Sequence, residues 1–146
     1  MGNTQIKQVS VHKHLGLILS ETLSWKEHIT SICHKANKRI GCLKRLSSLL
    51  ARKSKVTIYV SYIRPILEYA AVIYDGCPIY LVDKLEAVQR QAALLCTRAY
   101  LRTSHVLLLS EVGWERLSLR RECQKLFYFF QDVTRTGTTL SCEFNS

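Results

Sequence analysis

The chain has 146 residues and a formal net charge of +10, from 21 Lys and Arg against 11 Asp and Glu. Its length is that of one typical domain, and its 47% hydrophobic content excludes a disordered polar chain. The basic excess favours a polyanionic partner, either nucleic acid or an anionic membrane surface.

The N-terminal residues are polar and lack the apolar run of a secretory signal. The longest apolar stretches are far shorter than the roughly 20 residues that span a bilayer. We therefore expect an intracellular protein, cytoplasmic or nuclear, with no membrane partner. In that setting, the six cysteines are expected to be reduced thiols.

The first predicted elements are one strand and one long helix. Val9 to Leu19 alternates apolar and polar residues before an apolar run, which indicates a strand with a bulge at Gly16. Ser24 and Glu27 match a capping box, which predicts the start of a helix. Apolar residues then recur at steps of three and four as far as Leu50, as in a long amphipathic helix.

Two further helices are predicted between residues 56 and 95. The first pattern runs from Val56 to Ala70. Pro65 lies inside it, so this helix either kinks there or restarts with Pro65 in its first turn. Turn residues at 75–78 end the element, and Leu81 to Leu95 then gives the cleanest amphipathic pattern of the chain.

The C-terminal third predicts one short and one long helix. The short helix runs from Val106 to Val112, with Gly113 as its left-handed terminator. The long helix begins near Leu119 and ends at Gly137, before a flexible tail over residues 138–146. These elements predict a mainly α fold, a helical bundle of three long and about two shorter helices behind a short N-terminal β element.

A segment without acidic residues between Glu27 and Glu68 carries the main functional signal. Its candidate nucleic-acid-binding residues are Lys35, Lys38, Arg39, Lys44, Arg45, Arg52, Lys53 and Lys55. At about 100° per residue, Lys35, Lys38, Arg39 and Arg45 share one stripe beside the apolar face of the helix, and Lys44 stands apart. Such a row suits a phosphate backbone without base preference. The alternative is an ordinary solvated helix surface.

Patterns for catalysis or metal binding are absent from the sequence. The histidines and cysteines show no zinc-finger spacing, and the three aspartates, Asp75, Asp83 and Asp132, are not paired. The sequence also lacks a Gly-rich phosphate loop. We therefore expect no metal, no cofactor and no catalytic residue in this chain.

Several short strings, in this order, resemble the region downstream of the catalytic motifs in non-LTR (LINE-like, Jockey/CR1-type) retrotransposon reverse transcriptases. They span roughly Val11 to Arg135. The strings are His14-Leu15-Gly16, Leu23-Ser24-Trp25-Lys26-Glu27-His28-Ile29, Arg64-Pro65-Ile66-Leu67-Glu68-Tyr69, Leu85-Glu86-Ala87-Val88-Gln89-Arg90-Gln91-Ala92-Ala93, Arg102-Thr103-Ser104-His105 and Gly113-Trp114-Glu115-Arg116-Leu117.

The resemblance implies a division of the chain and a partner. Residues 1–20 would be a remnant of the palm edge, with His14, Leu15 and Gly16 similar to the primer grip. Residues 21–137 would form a thumb-like bundle whose basic stripe holds an RNA–DNA hybrid or other duplex through its backbone. The family's paired catalytic aspartates lie upstream of this region, so the palm domain would be a missing partner and this chain would catalyse nothing alone.

Two other interpretations remain open at this stage. The helices could form a protein-interaction or structural module, with Tyr59, Tyr62, Tyr128 and Phe129 as exposed aromatics and self-association as a consequence. The chain could also be a non-functional truncated copy of a retroelement.

Overall fold

The computed structural model describes residues 10–143, with side chains through residue 135, and begins with a β-hairpin. Strand β1 (Val11–His14) pairs with β2 (Leu17–Ser20) in antiparallel register, with His14 opposite Leu17. The expected bulge at Gly16 is therefore wrong, because Gly16 lies in the two-residue turn that joins two strands. Val9, where the predicted strand began, lies outside the described residues.

The first long helix is α1 (Lys26–Arg45), and its buried face matches the predicted apolar spacing. The capping box is not formed, because the Ser24 amide donates its hydrogen bond to the Ser20 hydroxyl at 2.8 Å. That amide is therefore not available to the Glu27 carboxylate. Trp25 takes the N-cap position instead. The helix also ends at Arg45, before Leu50, and a run of turns leads to the next element.

Three contiguous helical segments follow: α2 (Arg52–Ile58), a π-helical segment (Tyr59–Ile63) and α3 (Arg64–Glu68). Pro65 lies in the first turn of α3, so of the two alternatives the restart is confirmed. Proline has no amide hydrogen to donate back to the preceding turn, and the wider π turn lies where that bond is missing.

Helices α4 (Ile79–Thr97), α5 (His105–Val112) and α6 (Leu117–Glu143) complete the described chain. The left-handed Gly113 closes α5 as predicted, with φ +71°. Helix α6 passes through Gly137, so the predicted helix end there and a tail starting at Thr138 are wrong. One glycine costs a helix about 1 kcal/mol relative to alanine, which long flanking helical segments tolerate.

A mainly α fold with a short β element is thus confirmed for the described residues. Its core forms where α1 packs against α3 and α4, and where α4 packs against α5. At the centre, the ring of Tyr59 stacks on Trp114 with centroids 4.0 Å apart. Tyr59 is fully buried, so its predicted exposure is wrong, whereas Tyr62, Tyr128 and Phe129 are exposed as predicted.

Polar contacts tie the first half of α6 to the bundle. Arg120 pairs with Glu68, and Lys125 Nζ lies 2.5 Å from a carboxylate oxygen of Asp75. The carboxylate of Glu86 accepts a hydrogen bond from the Ser118 amide at 2.9 Å. The start of α6 is therefore fixed to α3, α4 and the turn between them.

Removing the central ring pair tests this core. Trp114→Ala should lower the free energy of unfolding by about 3–5 kcal/mol, because it empties a buried site against Tyr59. Urea denaturation followed by circular dichroism measures the change. The control Leu101→Ala, at an exposed position, should stay within about 0.5 kcal/mol of wild type. Equal effects of the two substitutions would contradict this packing.

Candidate nucleic-acid interface

An open groove of about 580 Å³ lies between the hairpin turn, α1 and α3. It brings together residues from three separate parts of the sequence. Its lining comprises Gly16, Ile32, Lys35, Lys38, Arg39, Pro65, Ile66 and Tyr69. The groove therefore has a cationic wall from α1, an apolar and aromatic wall from α3, and a contact with the hairpin turn at Gly16.

The turn at His14, Leu15 and Gly16 has a conformation that depends on glycine. Leu15 and Gly16 have φ angles of +46° and +84°, as in the two-residue hairpin turns whose twist matches that of the strands. The Tyr69 hydroxyl donates a hydrogen bond to the Leu15 carbonyl at 2.7 Å. A Cβ at Gly16 would lie only 3.3 Å from Cε1 of Tyr69. The turn and Tyr69 therefore dock closely, and a side chain at Gly16 would disturb this contact.

Buried His28 attaches the hairpin to α1. Its Nδ1 accepts a hydrogen bond from the Ile18 amide at 3.3 Å, and its ring packs against Trp25 and Tyr74. Burial lowers the pKa of His28 below its ordinary value, and the charge of Lys35 lowers it further. The neutral ring is thus the form that holds the hairpin, since a protonated Nδ1 cannot accept a bond.

The three groove cations have no acidic partner among the described residues. Lys35 and Lys38 are exposed, and Arg39 is half-buried. The Arg39 guanidinium lies over the Tyr62 ring, 3.8 Å from its centroid, and donates to the Tyr62 carbonyl. No acidic residue lines the groove, and the ion pairs of the described residues involve other cations. The positive charge of the three groove cations is therefore available to a ligand.

The other exposed cations of the predicted set lie outside the groove. Lys44 and Arg45 are at the end of α1, where the Arg45 guanidinium lies 3.1 Å from the Sγ atom of Cys42. Lys53 is exposed on α2. Of the four residues in the predicted stripe, Lys35, Lys38 and Arg39 line the groove and Arg45 does not.

Two residues of the predicted set are held at the ends of other helices. Lys55 is only 1% exposed, and its Nζ approaches the Leu95 carbonyl in the last turn of α4 at 3.5 Å. Arg52 forms an ion pair with Glu111 at 2.8 Å and donates to the Glu111 carbonyl near the end of α5. Cations stabilise these negative helix ends. The prediction that Lys55 contacts phosphate is therefore wrong, and Arg52 is already partly neutralised.

The apolar wall was missed as a functional surface. Pro65, Ile66 and Tyr69 belong to a string that carried the family resemblance, but the string alone does not indicate which side chains face a ligand. Tyr62, which was noted only as an exposed aromatic, supports Arg39. Aromatic faces beside cations are a common feature of nucleic-acid-binding surfaces.

Metal sites and membrane-spanning helices are absent from the described part of the chain. Among the side chains of residues 10–135, no group of three or more His, Cys, Asp or Glu is arranged to hold a metal ion. Among the same residues, no helix has the length and apolar character needed to cross a membrane.

Comparison with known proteins gives one informative likeness. No family model matches the chain, and no solved structure matches it. The chain is 30% identical over 100 residues to the RNA-directed DNA polymerase from mobile element jockey of Drosophila funebris. This likeness supports a distant relation to non-LTR retrotransposon reverse transcriptases. The aligned part is 65% of this chain and 11% of the relative, so the chain spans about one tenth of that polymerase.

Substitution of Gly16 tests the hairpin docking. Gly16→Ala should destabilise the protein by about 1 kcal/mol or more, because it strains a positive φ and brings a methyl group towards Tyr69. Gly41→Ala in α1 is the matched control, since a Cβ there meets nothing within 4 Å. It should be neutral or stabilising by up to about 1 kcal/mol. Urea denaturation measures the change in the free energy of unfolding for each variant. An unchanged free energy for Gly16→Ala would contradict the docking.

The buried neutral His28 predicts a loss of stability in mild acid. Its folded pKa is lowered, so below pH about 6.5 the unfolded chain binds the proton more readily than the folded chain. The free energy of unfolding should therefore fall as pH drops from 7 towards 5. Burial also lowers the pKa of His105, so this residue should add to the loss of stability in acid. His28→Gln should make the pH dependence shallower than in wild type, and an unchanged slope would argue against this role.

Proposed function

We propose that this chain is a non-catalytic module that binds an RNA–DNA hybrid, or another nucleic-acid duplex, through its backbone. The observation that carries the proposal is the groove in which Lys35, Lys38 and Arg39 lie beside the hairpin turn, with no acidic partner among residues 10–135. Its ligand is a polyphosphate strand lying along α1. The net charge of +10 draws such a ligand to the surface at long range.

The spacing of the cations suits one stretch of backbone. Lys38 and Arg39 lie three and four residues after Lys35, hence about 4.5 and 6 Å from it along the axis of α1. Each neutralised phosphate releases counterions, and this interaction carries no base information. The module therefore holds duplexes by shape and charge, with little sequence preference.

The family resemblance supplies the larger context of the proposal. The hairpin turn at His14, Leu15 and Gly16 acts as a primer-grip-like contact at the edge of a palm, and the helices act as a thumb. The partner is then the palm of a reverse transcriptase, which carries the catalytic aspartates. This role belongs inside the cell, in the cytoplasm or the nucleus, where template and primer are found.

Salt titration of hybrid binding tests the proposal. The triple variant Lys35→Gln, Lys38→Gln and Arg39→Gln should reduce the slope of log K against log salt concentration by about 2–3, one for each lost phosphate contact. Its affinity at about 0.1 M salt should fall by about a hundredfold, for a loss of about 1 kcal/mol at each contact. Fluorescence anisotropy with a labelled RNA–DNA hybrid measures both quantities.

A charge-matched control separates the groove from net charge. Lys26, Lys84 and Arg102 are exposed and lie outside the groove lining. Changing all three to Gln removes two lysine charges and one arginine charge, as in the groove variant. This control should weaken binding only a few-fold. Equal losses in both triple variants, or no binding by wild type at low salt, would refute the groove as the site. Thermal melts of each variant check that the fold is retained.

A further inference from the structure

The middle of α6 exposes an unusual amount of apolar surface. The five consecutive residues from Leu126 to Phe130 are each 56–63% exposed. Monomeric soluble proteins rarely leave large contiguous apolar patches uncovered, and such patches mark interaction sites. The helix therefore has a surface that the described bundle does not use.

This apolar surface has the spacing of a helix-pairing seam. Leu119, Cys123, Leu126, Phe130 and Val133 follow one another at steps of four, three, four and three. This is the heptad spacing at which two helices pack along a shared stripe. Phe127 and Phe129 flank the stripe at the adjoining positions, whereas Tyr128 lies on the opposite side of the helix. Four of the five consecutive exposed residues thus belong to one broad seam.

The seam points away from the rest of the molecule. Leu117 and Arg121 are buried, and Lys125 pairs with Asp75, so these three mark the side of α6 that packs on the bundle. At about 100° per residue, that side is centred about 160° from the seam. A partner helix can therefore lie along the seam without displacing any contact of the bundle.

We propose that this seam pairs with the same seam of a second copy of the chain. Heptad stripes are self-complementary, and its five central positions carry no charged residue. Each large side chain offers about 100 Å² of exposed surface, so the seam and its flanks supply about 600 Å² per copy. Two copies would bury about 1,200 Å², the lower bound of a stable interface.

The dimer and the nucleic-acid groove respond oppositely to salt. Each copy carries +10, so salt screens the repulsion between copies and strengthens the apolar pairing. Binding to a polyphosphate weakens with salt. No residue of the seam lines the groove, so either proposal can fail without the other.

Sedimentation equilibrium of the full chain, over a range of concentrations and at two salt concentrations, tests the pairing. Wild type should show a monomer–dimer equilibrium that is tighter at high salt. Phe130→Glu places a charge in the seam and should weaken the dimer by at least about tenfold. Tyr128→Glu is the matched control, since it adds the same charge at an exposed site two residues away but off the seam. It should change the dimer constant less than about twofold, since surface changes off an interface are small.

Three results would overturn the proposal. They are a wild type that stays monomeric at all concentrations, polydisperse aggregation without a defined dimer, and equal effects of Phe130→Glu and Tyr128→Glu. Circular dichroism of each variant confirms that the helices are retained. Because Phe130 and Tyr128 are both exposed, neither substitution is expected to disturb the core.

Discussion

Burial of one face of α1 against α3 and α4 is the constraint on which the rest of the structure depends. Ile29, Ile32, Ala36, Ile40 and Leu43 all point into the core. Burying this stripe removes apolar surface from water and fixes the rotation of the helix about its axis. Lys35, Lys38 and Arg39 are thereby turned towards the hairpin and α3, where they line a common groove. The placement of charge is thus a consequence of hydrophobic packing.

The same packing determines which cations remain available. Lys35, Lys38 and Arg39 lie on α1 beside the apolar stripe and face the open groove. On α2, Lys55 faces inwards, where its ammonium group donates a hydrogen bond to the Leu95 carbonyl near the end of α4. Arg52 is similarly occupied by Glu111 at the end of α5. Basic residues close in sequence therefore divide into a group that lines the groove and a group that stabilises helix ends.

Local patterns predicted the helices well because apolar periodicity directly reflects burial. The face of α1, the restart at Pro65 and the end of α5 at Gly113 all follow from side-chain or backbone chemistry that is visible in the sequence. Two errors arose where another residue competes for the group in question. The Ser20 hydroxyl accepts the hydrogen bond from the Ser24 amide that the capping box needed, and the Leu95 carbonyl accepts one from Lys55. The bulge expected at Gly16 was wrong because Leu15 and Gly16 form a tight turn, in which Leu15 has a positive φ that leucine rarely adopts.

The groove itself required the tertiary structure, since its cationic and apolar walls come from segments about 30 residues apart in sequence. Under the proposed function, Lys35 and Lys38 contact a nucleic-acid backbone. Lysine acetylation footprinting by mass spectrometry, with and without an RNA–DNA hybrid, measures that contact at each residue. The hybrid should protect Lys35 and Lys38 and leave the exposed Lys26 and Lys84 as reactive as before. Uniform protection of all four lysines, or protection of none, would show that these two lysines do not form the contact.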